Sequence, residues 1–258
     1  MRILVTNDDG VHAPGLEILE SIAGELSDDV WVVAPEAEQS GAGHSLTLNQ
    51  PLRYVKAAPR RYAVRGTPTD CVMMALNHIV KDERPDLILS GVNRGANLGE
   101  DVTYSGTIAA AMEGTLAGVP SIALSQAVNV EERRIDWAPS QKYGAQIIRT
   151  LLDEGWPDTV LMNVNFPSMG AESVKGIEVT HQGQRDVTDM RIDARTDMRG
   201  LPYYWFGLSR ALGAQPEDSD LQVVRDGYIS VTPLHLNLTH EPTRQRLEET
   251  VSQKFDHA

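Results

Sequence analysis

Five short apolar runs, separated by segments with helical periodicity, constrain the fold of this chain more than any other feature. Each run is continuously apolar rather than alternating, as expected of a strand that is covered on both faces. Strands that alternate with helices are typical of a parallel sheet with helices on both sides, so we expect an α/β fold. The runs are Ile3–Val5, Val30–Ala34, Leu87–Leu89, Ser121–Leu124 and Val160–Met162.

Four segments have apolar residues at helical spacing and predict helices. They are Gly15–Leu26, Thr67–Val80, Gly106–Leu116 and Ser140–Leu152. The second begins with a threonine directly before a proline, which is a favourable start for a helix. Residues 45–65 instead predict short antiparallel strands, with apolar positions at Leu46, Leu48, Leu52, Tyr54, Tyr62 and Val64.

The pattern weakens after about residue 180. The stretch 183–226 is polar apart from an aromatic cluster at 202–207, and it is too long for an ordinary loop. One strand, Tyr228–Leu234, and a polar amphipathic helix at about Pro242–Phe255 follow it. We therefore expect one domain spanning 1–258, with its core at about 1–180. The C-terminal arm and helix at about 181–258 would pack on a partner subunit.

Composition narrows the classes of partner. The 23 basic and 36 acidic residues give a net charge of −13, spread over both halves, which disfavours a stable nucleic-acid partner. A single cysteine, Cys71, allows neither an intrachain disulfide nor a cysteine-based zinc cluster. The first apolar run is too short for a signal peptide, and no stretch approaches the ~20 apolar residues of a membrane span. We therefore expect a cytoplasmic protein with no membrane partner.

Polar residues follow three of the predicted strands, at the sheet edge where open parallel sheets bind ligands. Asp8 and Asp9 come after the first strand, Ser40 after the second and Asn93 after the third. The two acids converge only if the chain turns, which Gly10 permits. A divalent cation would then stabilise the pair, and hard oxygen ligands suit Mg²⁺, Mn²⁺ or Ca²⁺. The alternative is a solvated turn, and the spacing leaves both interpretations open.

A second group of polar residues opens the third predicted helix. The free N–H groups there, with Ser105, Gly106 and Thr107, suit a small anion. The ordinary alternative is that Ser105 only caps the helix. Beside a metal site, phosphate binding is the better interpretation. The glycine-rich loop 91–99 adds Asn97 as a further polar contact.

Other classes of protein with acids after the first strand fit less well. A receiver domain needs a lysine after a later strand, and none of the five lysines follows a parallel strand. A phosphatase of the haloacid dehalogenase type needs Asp-x-Asp, whereas these acids are adjacent. A metal-dependent nucleotide-binding protein without turnover stays open. His12 and His44 lie near the loops and are candidates either for proton transfer or for loop hydrogen bonds.

Ordered motifs occur along nearly the whole chain. They include Thr6-Asn7-Asp8-Asp9-Gly10, Ser40-Gly41, Gly66-Thr67-Pro68-Thr69-Asp70, Ser90-Gly91-Val92-Asn93, Tyr104-Ser105-Gly106-Thr107, Asn163-Val164-Asn165-Phe166-Pro167 and Gly227-Tyr228-Ile229-Ser230-Val231. Together they resemble the SurE family, the stationary-phase survival protein phosphatases. One departure is Glu36-Ala37-Glu38-Gln39, which stands where many members have a more basic run. This departure affects the substrate contacts expected from that run, and it does not affect the expected metal site.

The resemblance implies a Rossmann-like three-layer αβα fold with a mostly parallel sheet, plus a C-terminal β-rich arm and a terminal helix used in oligomerisation. It implies a metal-dependent phosphomonoesterase acting on nucleoside 5′-monophosphates, with 3′-nucleotides and short polyphosphate as further substrates in some members. The implied partner is a second copy, as a homodimer or a tetramer with exchanged C-terminal segments. One divalent ion per subunit, Mg²⁺ or Mn²⁺, would be held by Asp8, Asp9, Ser40 and Asn93. Asn97, Ser105, Gly106 and Thr107 would contact phosphate, and the two aspartates would be catalytic.

Overall fold

The strands form a nine-stranded sheet and a separate hairpin. The computed structural model describes residues 1–129, 132, 134–185, 190–208 and 215–252. The strands of the sheet are β1 (Arg2–Thr6), β2 (Asp29–Pro35), β3 (Tyr54–Ala58), β4 (Arg61–Val64), β5 (Leu87–Arg94), β6 (Ser121–Gln126), β7 (Val160–Phe166), β8 (Ile177–Val179) and β11 (Ile229–His235). The hairpin consists of β9 (Met190–Thr196) and β10 (Pro202–Leu208).

The central strands are parallel, and their order creates a crevice at one edge. The order in the sheet is β3-β4-β2-β1-β5-β6-β7-β11-β8. Strands β2, β1, β5, β6 and β7 pair in parallel, whereas β3 with β4 and β11 with β7 are antiparallel. Because β2 and β5 lie on opposite sides of β1, the strand order reverses at β1. The carboxyl ends of β1 and β5 therefore flank the crevice where such sheets bind ligands.

Helices cover both faces of the sheet and give three layers. They are α1 (Pro14–Gly24), α2 (Pro68–Met74), α3 (Gly106–Leu116), α4 (Ala138–Glu154), α5 (Asp220–Arg225) and α6 (Glu241–Leu247). Strand residues Ile3 and Val5 pack with α1 and α4 on one face. Leu4, which lies between them, packs with α2 and α3 on the other face. Both faces of the strand are buried, which explains the continuous apolar run.

The predicted α/β architecture is confirmed, and the predicted helices differ from the structure mainly at their ends. The second helix changes to a π-helical turn at Ala75–Ile79, and α4 is longer at both ends than expected. The expected strand at Leu46 and Leu48 is wrong. The backbone N–H and the hydroxyl of Thr47, between these two leucines, donate to the Asp70 carboxylate at 3.0 and 2.6 Å. That segment is held by the cap of α2 rather than by a strand ladder.

The C-terminal part contains more regular structure than its sequence pattern indicates. Residues 183–226 include the β9–β10 hairpin and α5, and β11 then joins the main sheet between β7 and β8. The predicted last helix is observed as α6 with a π-helical turn at Glu248–Ser252, and its expected end at 253–255 lies outside the described residues. No helix in the described part of the chain has the length and apolar character needed to span a bilayer.

Candidate active site

The chain turns sharply after β1 and places two carboxylates at the crevice. The Asn7 side chain closes the turn, because its amide donates to the Gly10 carbonyl at 3.0 Å and its oxygen accepts from the Gly10 N–H at 3.2 Å. Gly10 adopts a φ of 104°, a conformation that favours glycine. Asp8 is only 4% exposed and Asp9 is partly buried.

The first turn of α3 packs directly on Asp8. The Thr107 hydroxyl donates to Asp8 Oδ1 at 2.5 Å. A Cβ at Gly106 would lie 2.7 Å from the Asp8 Cβ, so only glycine lets the helix approach this closely. Burial raises the pKa of Asp8, and the hydrogen bond from Thr107 opposes part of that rise. The carboxylate is therefore desolvated and has a fixed orientation.

Asp9 is held by the end of β5. The Arg94 backbone N–H donates to Asp9 Oδ2 at 3.0 Å. Burial, followed by repulsion from Asp8, raises the pKa of Asp9 from 3.8 to about 6. Two adjacent carboxylates with raised pKa values form a site where an added positive charge is strongly stabilised.

The raised pKa of Asp9 predicts a pH-dependent stability in the cation-free protein. Between the unfolded value of 3.8 and the folded value of about 6, the folded chain holds a proton that the unfolded chain has released. The stability that this bound proton contributes to the folded chain is fully present below pH 3.8, and it is lost as the pH rises through about 6. In chelator, we expect Asp9→Asn to melt at a higher temperature than wild type at roughly pH 7.5, with a smaller difference at roughly pH 5. Equal differences in melting temperature at the two pH values would contradict this.

Ser40 and Asn93 lie beside the two acids. The Gln39 N–H donates to the Asp8 carbonyl at 2.7 Å and brings the loop after β2 to the end of β1. The Ser40 hydroxyl donates to Glu38 Oε1 at 2.9 Å, which leaves lone pairs on the hydroxyl oxygen. The Asn93 amide nitrogen donates to the Gly95 carbonyl at 2.8 Å, so its amide oxygen is the end suited to a cation.

Most of the residues singled out from the sequence border one cavity of about 270 Å³, which we call the phosphate-side cavity. Asp8, Ser40, Asn93, Asn97 and Ser105 line it. Gly106 and Thr107 contact Asp8 from the start of α3. Asp9 lines a neighbouring cavity of about 530 Å³, which we call the Asp9-side cavity. The structure thus brings the other six residues together around Asp8, with Asp9 next to it in the chain.

A buried asparagine network positions Asn97. Its backbone N–H donates to Asn165 Oδ1 at 2.8 Å, and its carbonyl accepts from Asn163 and Asn165 at 2.9 and 3.1 Å. Its side-chain amide donates to Ser125 Oγ at 2.8 Å. In the sequence, Asn163 and Asn165 stand out only as part of a motif. Two asparagines inside an apolar strand were the signal of a structural role.

Several residues of the phosphate-side cavity were missed. Arg185 and Glu100 line it, and so do Asp101 and Tyr104. The Arg185 guanidinium pairs with Asp101 at 2.7 Å, and its backbone N–H donates to Glu100 at 2.8 Å. Arg185 is in a polar stretch without periodicity, so no pattern in the sequence pointed to it. Of the two candidate histidines, His12 lines the Asp9-side cavity, whereas His44 contacts Glu113 at 3.1 Å.

The donor chemistry fits a hard divalent cation. Among the described residues, no group of three or more His, Cys, Asp or Glu side chains is placed to hold a metal ion. A cation beside Asp8 and Asp9 would therefore take its other protein ligands from hydroxyl and amide oxygens, as Ser40 and Asn93 offer. Carboxylate, hydroxyl and amide oxygens suit Mg²⁺ or Mn²⁺ better than structural zinc.

Known proteins similar to this chain share one family name. The family model described as Survival protein SurE matches residues 3–189. The protein named 5′-nucleotidase SurE from Parvibaculum lavamentivorans is 55% identical over 252 residues, covering 97% of this chain and 91% of the relative. Its namesake from Caulobacter vibrioides is 56% identical over 250 residues, covering 96% and 95% of the two chains.

A solved structure extends the similarity to the fold. The crystal structure of the SurE protein from Aquifex aeolicus superposes with a TM-score of 0.83 at 40% identity, covering 96% of this chain and 99% of that one. The family match covers more than half of the chain and includes both acids, Ser40, Asn93 and the start of α3. The chain therefore belongs to the SurE family.

Proposed function

We propose that this chain is a divalent-metal-dependent phosphomonoesterase that releases phosphate from nucleoside 5′-monophosphates. The observation that carries the proposal is that Asp8, Ser40, Asn93 and Ser105 line one cavity, with Asp9 next to Asp8 in the chain and held by the Arg94 backbone. The name 5′-nucleotidase borne by relatives that are 55–56% identical supports the substrate class. No feature of the site favours nucleotide binding without turnover.

Asp8, Asp9, Ser40 and Asn93 would hold one divalent ion, Mg²⁺ or Mn²⁺. When bound, such an ion neutralises charge on phosphate oxygens and favours attack at phosphorus. The protein's own contribution is to fix the ligands in advance. Thr107 orients Asp8, and the Arg94 backbone orients Asp9.

The start of α3 supplies the anion-binding element. Ser105 caps the helix, since its hydroxyl oxygen accepts from the Ile108 N–H at 3.1 Å, and its own O–H is free to rotate toward an anion in the phosphate-side cavity. The Thr107 hydroxyl is already directed to Asp8. We therefore assign phosphate contact to Ser105 and orientation of a metal ligand to Thr107.

We expect Ser105→Ala to weaken competitive inhibition by inorganic phosphate. Loss of one hydrogen bond to a charged group costs roughly 1.5–3 kcal/mol, or about a tenfold to hundredfold rise in the inhibition constant. Ser219→Ala is the matched control, because Ser219 caps α5 in the same way. Both variants lose a helix cap, and only the first loses a phosphate donor. Equal inhibition constants in Ser105→Ala and wild type would refute the assignment.

Phosphate release from a panel of esters tests the activity itself. The purified protein would be incubated with 5′- and 3′-nucleoside monophosphates, glycerol 2-phosphate and tripolyphosphate, each with Mg²⁺ or Mn²⁺. We expect the highest kcat/KM with a nucleoside 5′-monophosphate. Tight nucleotide binding without phosphate release under every condition would leave a binding protein as the correct description.

We also propose that the functional unit is at least a homodimer. The β9–β10 hairpin presents Tyr204, Trp205 and Phe206 to solvent, with Trp205 61% and Phe206 74% exposed. Because side chains alternate along a strand, Tyr204 and Phe206 lie on one face of the hairpin and Trp205 lies on the other. Large aromatic side chains exposed in this way mark an interaction surface. Aromatic residues are the usual anchors of protein interfaces, and a second copy of this chain is the partner that the family resemblance implies.

A further inference from the structure

Apart from Asp9 and Arg94, the residues that line the Asp9-side cavity have no role in the phosphate chemistry described above. Its volume of about 530 Å³ is nearly twice that of the phosphate-side cavity and lies in the range of small-molecule sites. Arg94 lines both cavities. Asp8 and Asp9 are neighbours in the chain, and Asp8 lines the phosphate-side cavity whereas Asp9 lines the Asp9-side cavity. The two cavities therefore adjoin at Arg94, and a substrate with its phosphate beside Asp8 would have this larger space next to it.

One wall of the Asp9-side cavity is aromatic. Trp137, at the start of α4, is partly buried against the core and lines the cavity. Its ring lies against Gly15, because a Cβ at Gly15 would be 3.1 Å from Trp137 Cη2. Ile135 lines the cavity too. A tryptophan that is fixed on one side and accessible on the other is a stacking platform for a flat heterocycle.

A second part of the lining, which we call the acidic wall, carries carboxylates. Glu36 and Glu38 line the cavity together with Asp9. Arg94 and His12 are the basic side chains in its lining. Glu36 lies 4.0 Å from Arg65, but both side chains are mostly exposed, so this pair neutralises little of the charge. Carboxylates accept hydrogen bonds from hydroxyl and amino groups, and they repel a second phosphate.

We propose that the Asp9-side cavity is the leaving-group site, where Trp137 stacks the base of a nucleotide and the acidic wall selects a neutral nucleoside over a phosphate chain. The inference rests on the proposed phosphatase function. It gives a specificity: nucleoside monophosphates are preferred over nucleoside triphosphates and tripolyphosphate, whose next phosphate would face Glu36 and Glu38. The hydroxyls of the ribose are suitable donors to those carboxylates.

The aromatic wall is tested by Trp137→Ala and Trp137→Phe. Since stacking on an aromatic side chain contributes roughly 1–3 kcal/mol per base, we expect the alanine variant to raise KM for AMP about 5-fold to 100-fold. We expect phenylalanine to restore most of the loss, and the alanine variant to raise KM for AMP much more than KM for glycerol 2-phosphate. Trp31→Ala is the control, because Trp31 is a partly buried tryptophan that contacts Arg2 and Tyr62 outside the site. An unchanged KM for AMP in Trp137→Ala would overturn the assignment.

The acidic wall is tested by Glu36→Gln, since Glu38 also contacts the candidate metal ligand Ser40. We expect kcat/KM for tripolyphosphate, relative to that for AMP, to rise roughly threefold to tenfold, as removal of one nearby charge implies. Glu25→Gln is the matched control, because it removes the same charge at the far end of α1. An unchanged ratio in Glu36→Gln, or the same rise in Glu25→Gln, would overturn selection by the acidic wall.

Binding separates this proposal from the proposed function. Calorimetric titration with AMP in the presence of Mg²⁺ measures affinity whether or not phosphate is released. Weaker AMP binding by Trp137→Ala supports the leaving-group site even if wild type proves to lack turnover. Equal AMP affinity in wild type and Trp137→Ala overturns the site even if wild type is an active phosphatase.

Discussion

Replacing Asp8 with asparagine is expected to reduce phosphate release by roughly a thousandfold or more, to the level of wild type in excess chelator. Asp8 is buried, and its orientation is fixed by Thr107, so its replacement removes an anionic ligand that is oriented in advance. An asparagine still accepts the Thr107 hydrogen bond, so the local structure should persist. Initial rates of phosphate release with AMP, with Mg²⁺ or Mn²⁺ restored after chelation, measure the effect.

Stability measurements distinguish lost chemistry from lost folding in this variant. Burial raises the pKa of Asp8, so its charge opposes folding at neutral pH when no cation is bound. We therefore expect Asp8→Asn to melt no lower than wild type in chelator. Asp82→Asn, an exposed carboxylate in another part of the chain, is the control for charge. Near-normal turnover by Asp8→Asn would remove Asp8 from the mechanism.

Serine substitutions at Tyr204, Trp205 and Phe206 are expected to convert the protein from a dimer to a monomer with little activity. The substitutions would remove roughly 25 cal/mol of association free energy for each Å² of apolar surface that the aromatic side chains bury in the partner. Aromatic anchors of this kind often dominate an interface. Light scattering at low micromolar concentration measures the mass, and phosphate release is followed in the same samples.

The control for this prediction is Leu48→Ser, which removes an exposed apolar side chain outside the hairpin. It should leave both mass and activity unchanged. A wild-type protein that scatters as a 28.3 kDa monomer and is fully active would refute the proposed dimer.

The parallel sheet could be predicted because each buried strand has a local signature. Ile3, Leu4 and Val5 point alternately into the two halves of the core, so the run has to be apolar throughout. The site residues Asp8 and Asp9 could also be predicted from the sequence, since a polar pair directly after a buried strand falls at the binding edge of the sheet. For these residues, sequence neighbours are structural neighbours.

The remaining parts of the site depend on contacts between distant segments. Arg185 reaches the phosphate-side cavity from a polar stretch, and Trp137 reaches the other cavity from the start of α4. Neither has a periodic pattern or a motif around it that specifies where it lies in space. The same reason explains the error at Leu46 and Leu48. Apolar residues there indicated strands, but the bonds between Thr47 and Asp70 determine the local backbone.

The asparagines of β7 show a related limit. A buried polar side chain must find a partner, so Asn163 and Asn165 could be expected to form hydrogen bonds. Which partner they choose follows from the register of β6 and β7 and from the path of the loop carrying Asn97. Both the register and the loop path belong to the tertiary structure, so the sequence pattern around the asparagines does not specify their partners.

Asp220, the first residue of α5, makes contacts that affect the order in which this protein becomes active during synthesis. Its carboxylate accepts from the N–H groups of Gly99 and Gly183 at 2.9 and 2.8 Å, and thereby joins the loop after β5 to the segment that carries Arg185. A ribosome releases Asp8 and Asp9 first and Asp220 only more than two hundred residues later. A nascent or prematurely terminated chain thus carries both aspartates while one wall of the phosphate-side cavity is unsupported. Truncated products should therefore be unable to hydrolyse nucleotides in the cell.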